Sequence, residues 1–161
     1  MSIEKRKFVC GIFVVAVIFV LGLLYIDKII GTNIGGAMNE IICAADNLQS
    51  LQTNEEKEAE LNRLMKKLVH YHTEIRLVTS KFPYKGYYIQ ELVFFLQDIR
   101  SELPTEEAAK IVVEMADYIE ETGIIDIISK ERYIYLLDPL GARTKLESIL
   151  GIYNSKFILA E

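Results

Sequence analysis

Two histidines, one cysteine outside the first apolar run and a scatter of carboxylates are the residues here whose types can do chemistry. His70 and His72 stand two apart. On a helix that spacing turns them about 200° from each other, so they cannot share a metal ion. His72 continues an apolar stripe between Leu68 and Ile75 and reads as a core or boundary residue. A thiolate–imidazole nucleophile would need Cys43 beside one of them, and nothing local brings the two together. Cysteines and histidines are too few and too scattered for a metal-ligand cluster. The glycines at 31, 35 and 36 lack the following Lys-Ser/Thr that a phosphate-cradling loop requires. No catalytic residue, metal or cofactor is therefore expected. A carboxylate acid of the glycosidase kind would have to be a Glu set in apolar surroundings. Glu91 and Glu114 come nearest, and both fall on the polar sides of their helices.

Recognition chemistry is better represented. The stretch FPYKGYY, residues 82–88, sets Phe82, Tyr84, Tyr87 and Tyr88 around a turn. Tyr-rich loops bury much area at low entropic cost and make good partner surfaces. The same rings would also serve core packing, or an aromatic belt at a membrane interface. Glu55 and Glu56 open one charge run, and Glu120 and Glu121 form another. Both read first as solvated helix ends, and as contacts for a basic partner if one exists.

The elements that must hold these residues read as helices. Met38, Ile41, Ile42, Ala45, Leu48 and Leu51 recur at spacings of three and four. Thr53 and Glu56 form a capping box that starts a second helix, running to about Ser80 with Leu61, Leu64, Met65, Leu68, Ile75 and Val78 inward. Pro83 and Gly86 break it. A third helix, 87–102, carries Ile89, Leu92, Val93, Leu96 and Ile99. Phe94 and Phe95 widen its apolar face and predict a central place in the bundle. After Pro104, Thr105 is expected to cap a fourth helix, with Glu106 and Glu107 favoured in its first turn. Its stripe is Ala109, Val112, Val113, Ala116 and Ile119, and Gly123 stops it. Residues 124–137 are read as helix over a competing strand pattern, and Asp138-Pro139 opens a last helix. The glycines, Thr32 and Asn33 of 27–36 predict a turn-rich joint.

Ahead of that joint lies the strongest signal. Residues 8–26 form a run of 19 without a charge, and 14 of them are Leu, Ile, Val or Phe. A helix of this length covers roughly 28 Å, close to the hydrocarbon thickness of a bilayer. Its apolar residues favour insertion by roughly 4 to 8 kcal/mol. The run is longer than a secretory signal's apolar region, and no small-residue cleavage site follows it closely, so a retained anchor is expected. Lys5, Arg6 and Lys7 precede it, whereas Lys28 follows with Asp27 beside it. The positive-inside rule then keeps residues 1–7 in the cytoplasm and exports the rest, in a bacterium to the periplasm.

The chain carries a net −5, and residues 1–7 contribute +2, which leaves −7 for 27–161. Nucleic-acid affinity comes from Lys and Arg on phosphates, so an acidic domain without a basic stripe excludes that partner class. Cys43 has no partner thiol in its own domain, so in an oxidising space it is either buried or paired with another chain, and burial is the expectation. The expectation is an all-α protein with four regions: a cytoplasmic N-terminus 1–7, a single-pass inner-membrane anchor 8–26, a linker 27–36, and an exported bundle of five or six amphipathic helices over 37–161. It would act by binding a protein partner, as an immunity or inhibitor protein against a basic toxin or as a subunit of an envelope complex. An anchored cell-wall hydrolase is the alternative.

Overall fold

In the computed structural model, which describes residues 3–79 and 87–126, α1 is one helix over Ile3–Ser50. It is followed by α2 (Asn54–Thr79), α3 (Tyr87–Glu102) and α4 (Thr105–Thr122). The class is all-α, with no strand among the described residues. Four of the expected helical segments are present. The expected elements from 127 onward lie outside the described residues.

Residues 27–36 depart from expectation, because α1 runs through them without a break. Their polar side chains fold back on the helix instead of opening a turn. Thr32 Oγ1 donates to the Lys28 carbonyl at 2.8 Å, and Asn33 Nδ2 donates to the Ile29 carbonyl at 2.8 Å. Both are bonds to the residue four back, which leave the helical ladder intact. The face made by Ile30, Gly31, Ile34 and Ala37 is buried. Gly36 serves close approach: a Cβ there would lie 2.7 Å from Tyr71 Cε1 on α2. Tertiary contact thus overrides a weak local preference for a turn.

α2 returns antiparallel to α1. Asn47 Nδ2 donates to Glu60 Oε1 at 2.8 Å, Lys67 Nζ stands 3.6 Å from Glu40 Oε1, and Tyr71 lies against Gly36. These three pairs share one register. The capping box forms as read. The Thr53 amide and hydroxyl donate to Glu56 Oε2 at 3.1 and 2.8 Å, and the Glu56 amide donates to Thr53 Oγ1 at 3.2 Å. These bonds satisfy amides that would otherwise be orphaned at the helix start.

The inward stripe is continuous across the helices. Ile34, Met38, Ile41, Leu61, Leu64, Leu68, Ile75 and Met115 are each no more than 2% exposed. α1 packs most extensively on α2 and α4. α3 packs mainly on α2 and barely meets α1, so among the described residues it is a flank of the bundle and not its centre. Of its two adjacent phenylalanines Phe95 is buried, while Phe94 is half exposed. Two neighbouring residues on a helix cannot both face one direction.

α4 begins differently from expectation. Pro104, at φ −56° and ψ 146°, is its N-cap residue, and Thr105 already lies inside the helix with no capping side-chain bond. The Pro104 carbonyl accepts from the Ala108 amide at 3.0 Å and so closes the first turn. Gly123 ends the helix as expected. Its φ of 60° is left-handed, and its amide donates to the Glu120 carbonyl at 3.0 Å.

Candidate functional site

The residues singled out for recognition are not brought to one place. Phe82 and Tyr84 lie outside the described residues, and Tyr87 and Tyr88 form the start of α3. Glu55 and Glu56 are in the first turn of α2 and both are exposed. Glu120 and Glu121 are exposed near the end of α4. The salt bridge from Lys57 Nζ to Glu106 Oε2, 2.6 Å long, joins the first turns of α2 and α4 at the end of the bundle far from residues 8–26. From Glu106 to Glu120 is 14 residues of helix, about 21 Å. The two acidic runs therefore belong to separate places on the domain.

At the far end the acids gather. Glu106 and Glu107, in the first turn of α4, join Glu55 and Glu56 there. Helix N-termini favour negative charge, so each pair is stabilised where it stands. Glu56 is held in place, and its carboxyl lies below the usual range chiefly because the Thr53 side chain hydrogen-bonds it. Its first role is to start α2. The sequence offers no signal that the two N-termini meet, since residues 57 and 106 are brought together only by packing.

Where α1 packs on α2 a charged cluster spans the helix pair. Arg63 grips Glu60 through two bonds, Nε to Oε2 at 2.8 Å and NH2 to Oε1 at 2.7 Å. Its third arm, NH1, reaches Glu40 Oε2 at 2.9 Å, and Lys67 stands on Glu40's other oxygen. The Glu60 carboxyl is lowered, above all by its bond with Arg63, and Arg63 is raised chiefly by the same bond. All its members find opposite charges or donors. The cluster therefore fixes helix register; it does not leave a reactive group poised.

The remaining reactive types are apart from one another. His70 is exposed and stacks obliquely beside Tyr71, with ring centroids 5.8 Å apart. His72 is half-buried, a boundary residue as expected. Cys43, expected to be buried, is exposed on α1. It sits on the outer side of the helix, while its neighbours Ala44 and Ala45 are buried. Among the described residues no group of three His, Cys, Asp or Glu side chains is placed to hold a metal ion. Glu91 and Glu114 are half-buried on α3 and α4.

The most marked surface feature is α1 itself. From residue 5 to 22 every side chain is exposed, including Phe8, Phe13, Ile18 and Phe19 at 64–71%. This part of the helix is long and apolar enough to cross a membrane. Beyond it Leu23, Leu24 and Ile26 become half-buried, and Asp27 turns inward at 3% exposure while Lys28 faces out. Comparison of the chain with protein-family models, with curated proteins and with solved structures finds no match.

Proposed function

We propose that the chain is a single-pass membrane protein whose helical domain, held on the extracytoplasmic face, acts by binding another protein. The observation that carries this reading is the change along α1. One unbroken helix is apolar and exposed over residues 8–22, then buries one face in the bundle from Ile30 to Leu48. So much exposed apolar surface is stable only in lipid or against protein, and the charge-free length matches lipid. Lys5, Arg6 and Lys7 at its start support a cytoplasmic N-terminus. The net −7 of residues 27–161 suits a basic protein partner, with the far-end acids Glu55, Glu106 and Glu107 as first contacts. An inhibitor of a basic exported protein and an envelope-complex subunit both fit this description.

Alkaline carbonate extraction followed by protease treatment of intact spheroplasts tests the placement. The chain is expected to stay in the membrane fraction and to lose its domain to external protease. Ile18→Asp, which places a charge near the middle of the run at a cost of about 2.5–3.5 kcal/mol, is expected to weaken retention. Release of the unsubstituted chain by carbonate, or protection of the domain in intact spheroplasts, overturns the reading. For the partner, crosslinking in membranes is expected to trap a basic protein in stoichiometric yield. That yield is expected to fall when Glu55, Glu106 and Glu107 are changed to Gln, and an unchanged yield removes the acidic end from the argument.

A further inference from the structure

The point at which the bundle begins to cover α1 decides how close the domain sits to the lipid. Residues 8–22 are exposed, which is 15 residues or about 22 Å of helix. A hydrocarbon layer is about 30 Å thick. The rest of the charge-free run is already partly covered by protein: Leu23 and Leu24 are half-buried, and Ile26 packs against the core. About 8 Å of the hydrocarbon thickness therefore overlaps the near end of the bundle. A flexible joint could lift the domain clear, but α1 is continuous through 27–36. Thinning the bilayer instead costs a fraction of a kcal/mol for each ångström.

The register of α1 against α2 shows what that end presents. Gly36 opposite Tyr71, Glu40 opposite Lys67 and Asn47 opposite Glu60 place Leu77 opposite Ile30 and Arg76 opposite Gly31. Ile30 is four residues beyond Ile26, about 6 Å along the axis. The polar layer on each side of a bilayer is about 5–8 Å deep. Leu77 is 71% exposed, and Arg76 and Lys28 are exposed within about 3 Å of its height. An exposed leucine alone means little; its height is what matters. Val69 is also exposed, but its register partner is Met38, about 18 Å beyond Ile26 and clear of the layer. Glu120 and Glu121 stand clear too. The far end lies about 36 Å from Ile26, and they lie about 21 Å back from it, at about 15 Å.

We propose that the near end of the bundle rests in the interfacial layer of the bilayer, with Lys28, Leu77 and Arg76 inside that layer at about 3, 6 and 8 Å beyond Ile26. The partner of this surface is the lipid itself. The domain is thereby seated upright on the membrane, with its acidic end about 36 Å out, instead of swinging on a tether. This rests on the reading of residues 8–26 as a span.

The test uses the full chain with Cys10→Ala and Cys43→Ala, reconstituted in vesicles of phosphatidylcholine and phosphatidylglycerol. Single cysteines at Ile18→Cys, Val69→Cys and Leu77→Cys carry an environment-sensitive fluorophore. Quenching is compared between nitroxides on the lipid chains and iodide in the water. The Ile18 and Leu77 labels are expected to be quenched severalfold more by lipid nitroxide than the Val69 label, which iodide quenches instead. A Leu77 label that behaves like the Val69 label, while the Ile18 label is quenched from lipid, overturns the seating and leaves the span standing. An Ile18 label that iodide reaches and lipid nitroxide does not overturns both.

Discussion

Gly36→Ala is the substitution that most directly asks why α1 stays helical where its composition argues for a turn. A helix interior prefers Ala to Gly by about 1 kcal/mol, so on local grounds the change stabilises. The structure opposes it. The new methyl would lie 2.7 Å from Tyr71 Cε1 and 2.8 Å from Cζ, well inside contact distance. The ring is half-buried and packs on the core, so it must swing outward and give up that packing. Overpacking of this kind costs about 1–3 kcal/mol. The net expectation is a loss of up to about 2 kcal/mol. In a Tyr71→Ala background the obstacle is gone, and Gly36→Ala should then stabilise by about 1 kcal/mol. The coupling between the two sites is therefore expected to be about 1–3 kcal/mol, measurable as a double-mutant cycle. Urea unfolding of the full chain in detergent micelles, followed by helical circular dichroism, gives the four stabilities. A Gly36→Ala variant equally stabilised in both backgrounds would refute the close approach, and with it the account of why residues 27–36 pack as helix.

Three further expectations follow from local geometry. Thr53→Ala removes the two hydroxyl bonds of the capping box, leaves the residue 53 amide bonded to Glu56, and should cost about 1 kcal/mol, lowering the thermal midpoint by a few degrees. Gly123→Ala forces a side chain into a left-handed conformation at φ 60° and should destabilise by about 1–2 kcal/mol, whereas Gly123→Asn should cost less, in the same thermal scans. The lowered Glu60 carboxyl implies stability that is present above the ordinary glutamate pKa and is lost as pH falls through its lower folded value. Glu60→Gln should therefore flatten the acid limb of a stability-against-pH profile by about 0.2–1 kcal/mol, and an unchanged limb would place the acid sensitivity elsewhere.

What proved legible in the sequence was whatever depends on neighbours along the chain. The capping box at Thr53 and Glu56, the left-handed stop at Gly123 and the bounds of α3 all follow from side chains within four residues of one another. The buried stripes of α2 and α4 follow from the helical repeat, which needs only the order of apolar and polar residues. The same reasoning failed at Thr105, because Pro104 takes the N-cap position ahead of it. It failed at Cys43 and Phe94, because residue type says how often a side chain is buried and not which face of its own helix it occupies.

The candidate site was less legible than the fold for the same reason. Glu55, Glu56, Glu120 and Glu121 could be read as exposed acids, yet their grouping depends on which helix ends meet. The Lys57–Glu106 contact spans 49 positions of sequence and assigns the two pairs to separate regions. By itself the sequence determined that a charge-free apolar helix precedes an acidic bundle of amphipathic helices, because length, charge and periodicity are properties of the unfolded chain. Only the tertiary structure decided that the apolar run and the first helix of the bundle are one unbroken helix. That required Tyr71 to lie on Gly36, and Ile30 and Ile34 to find a buried face, so that contacts between helices outweighed the local preference of a glycine-rich stretch for a turn.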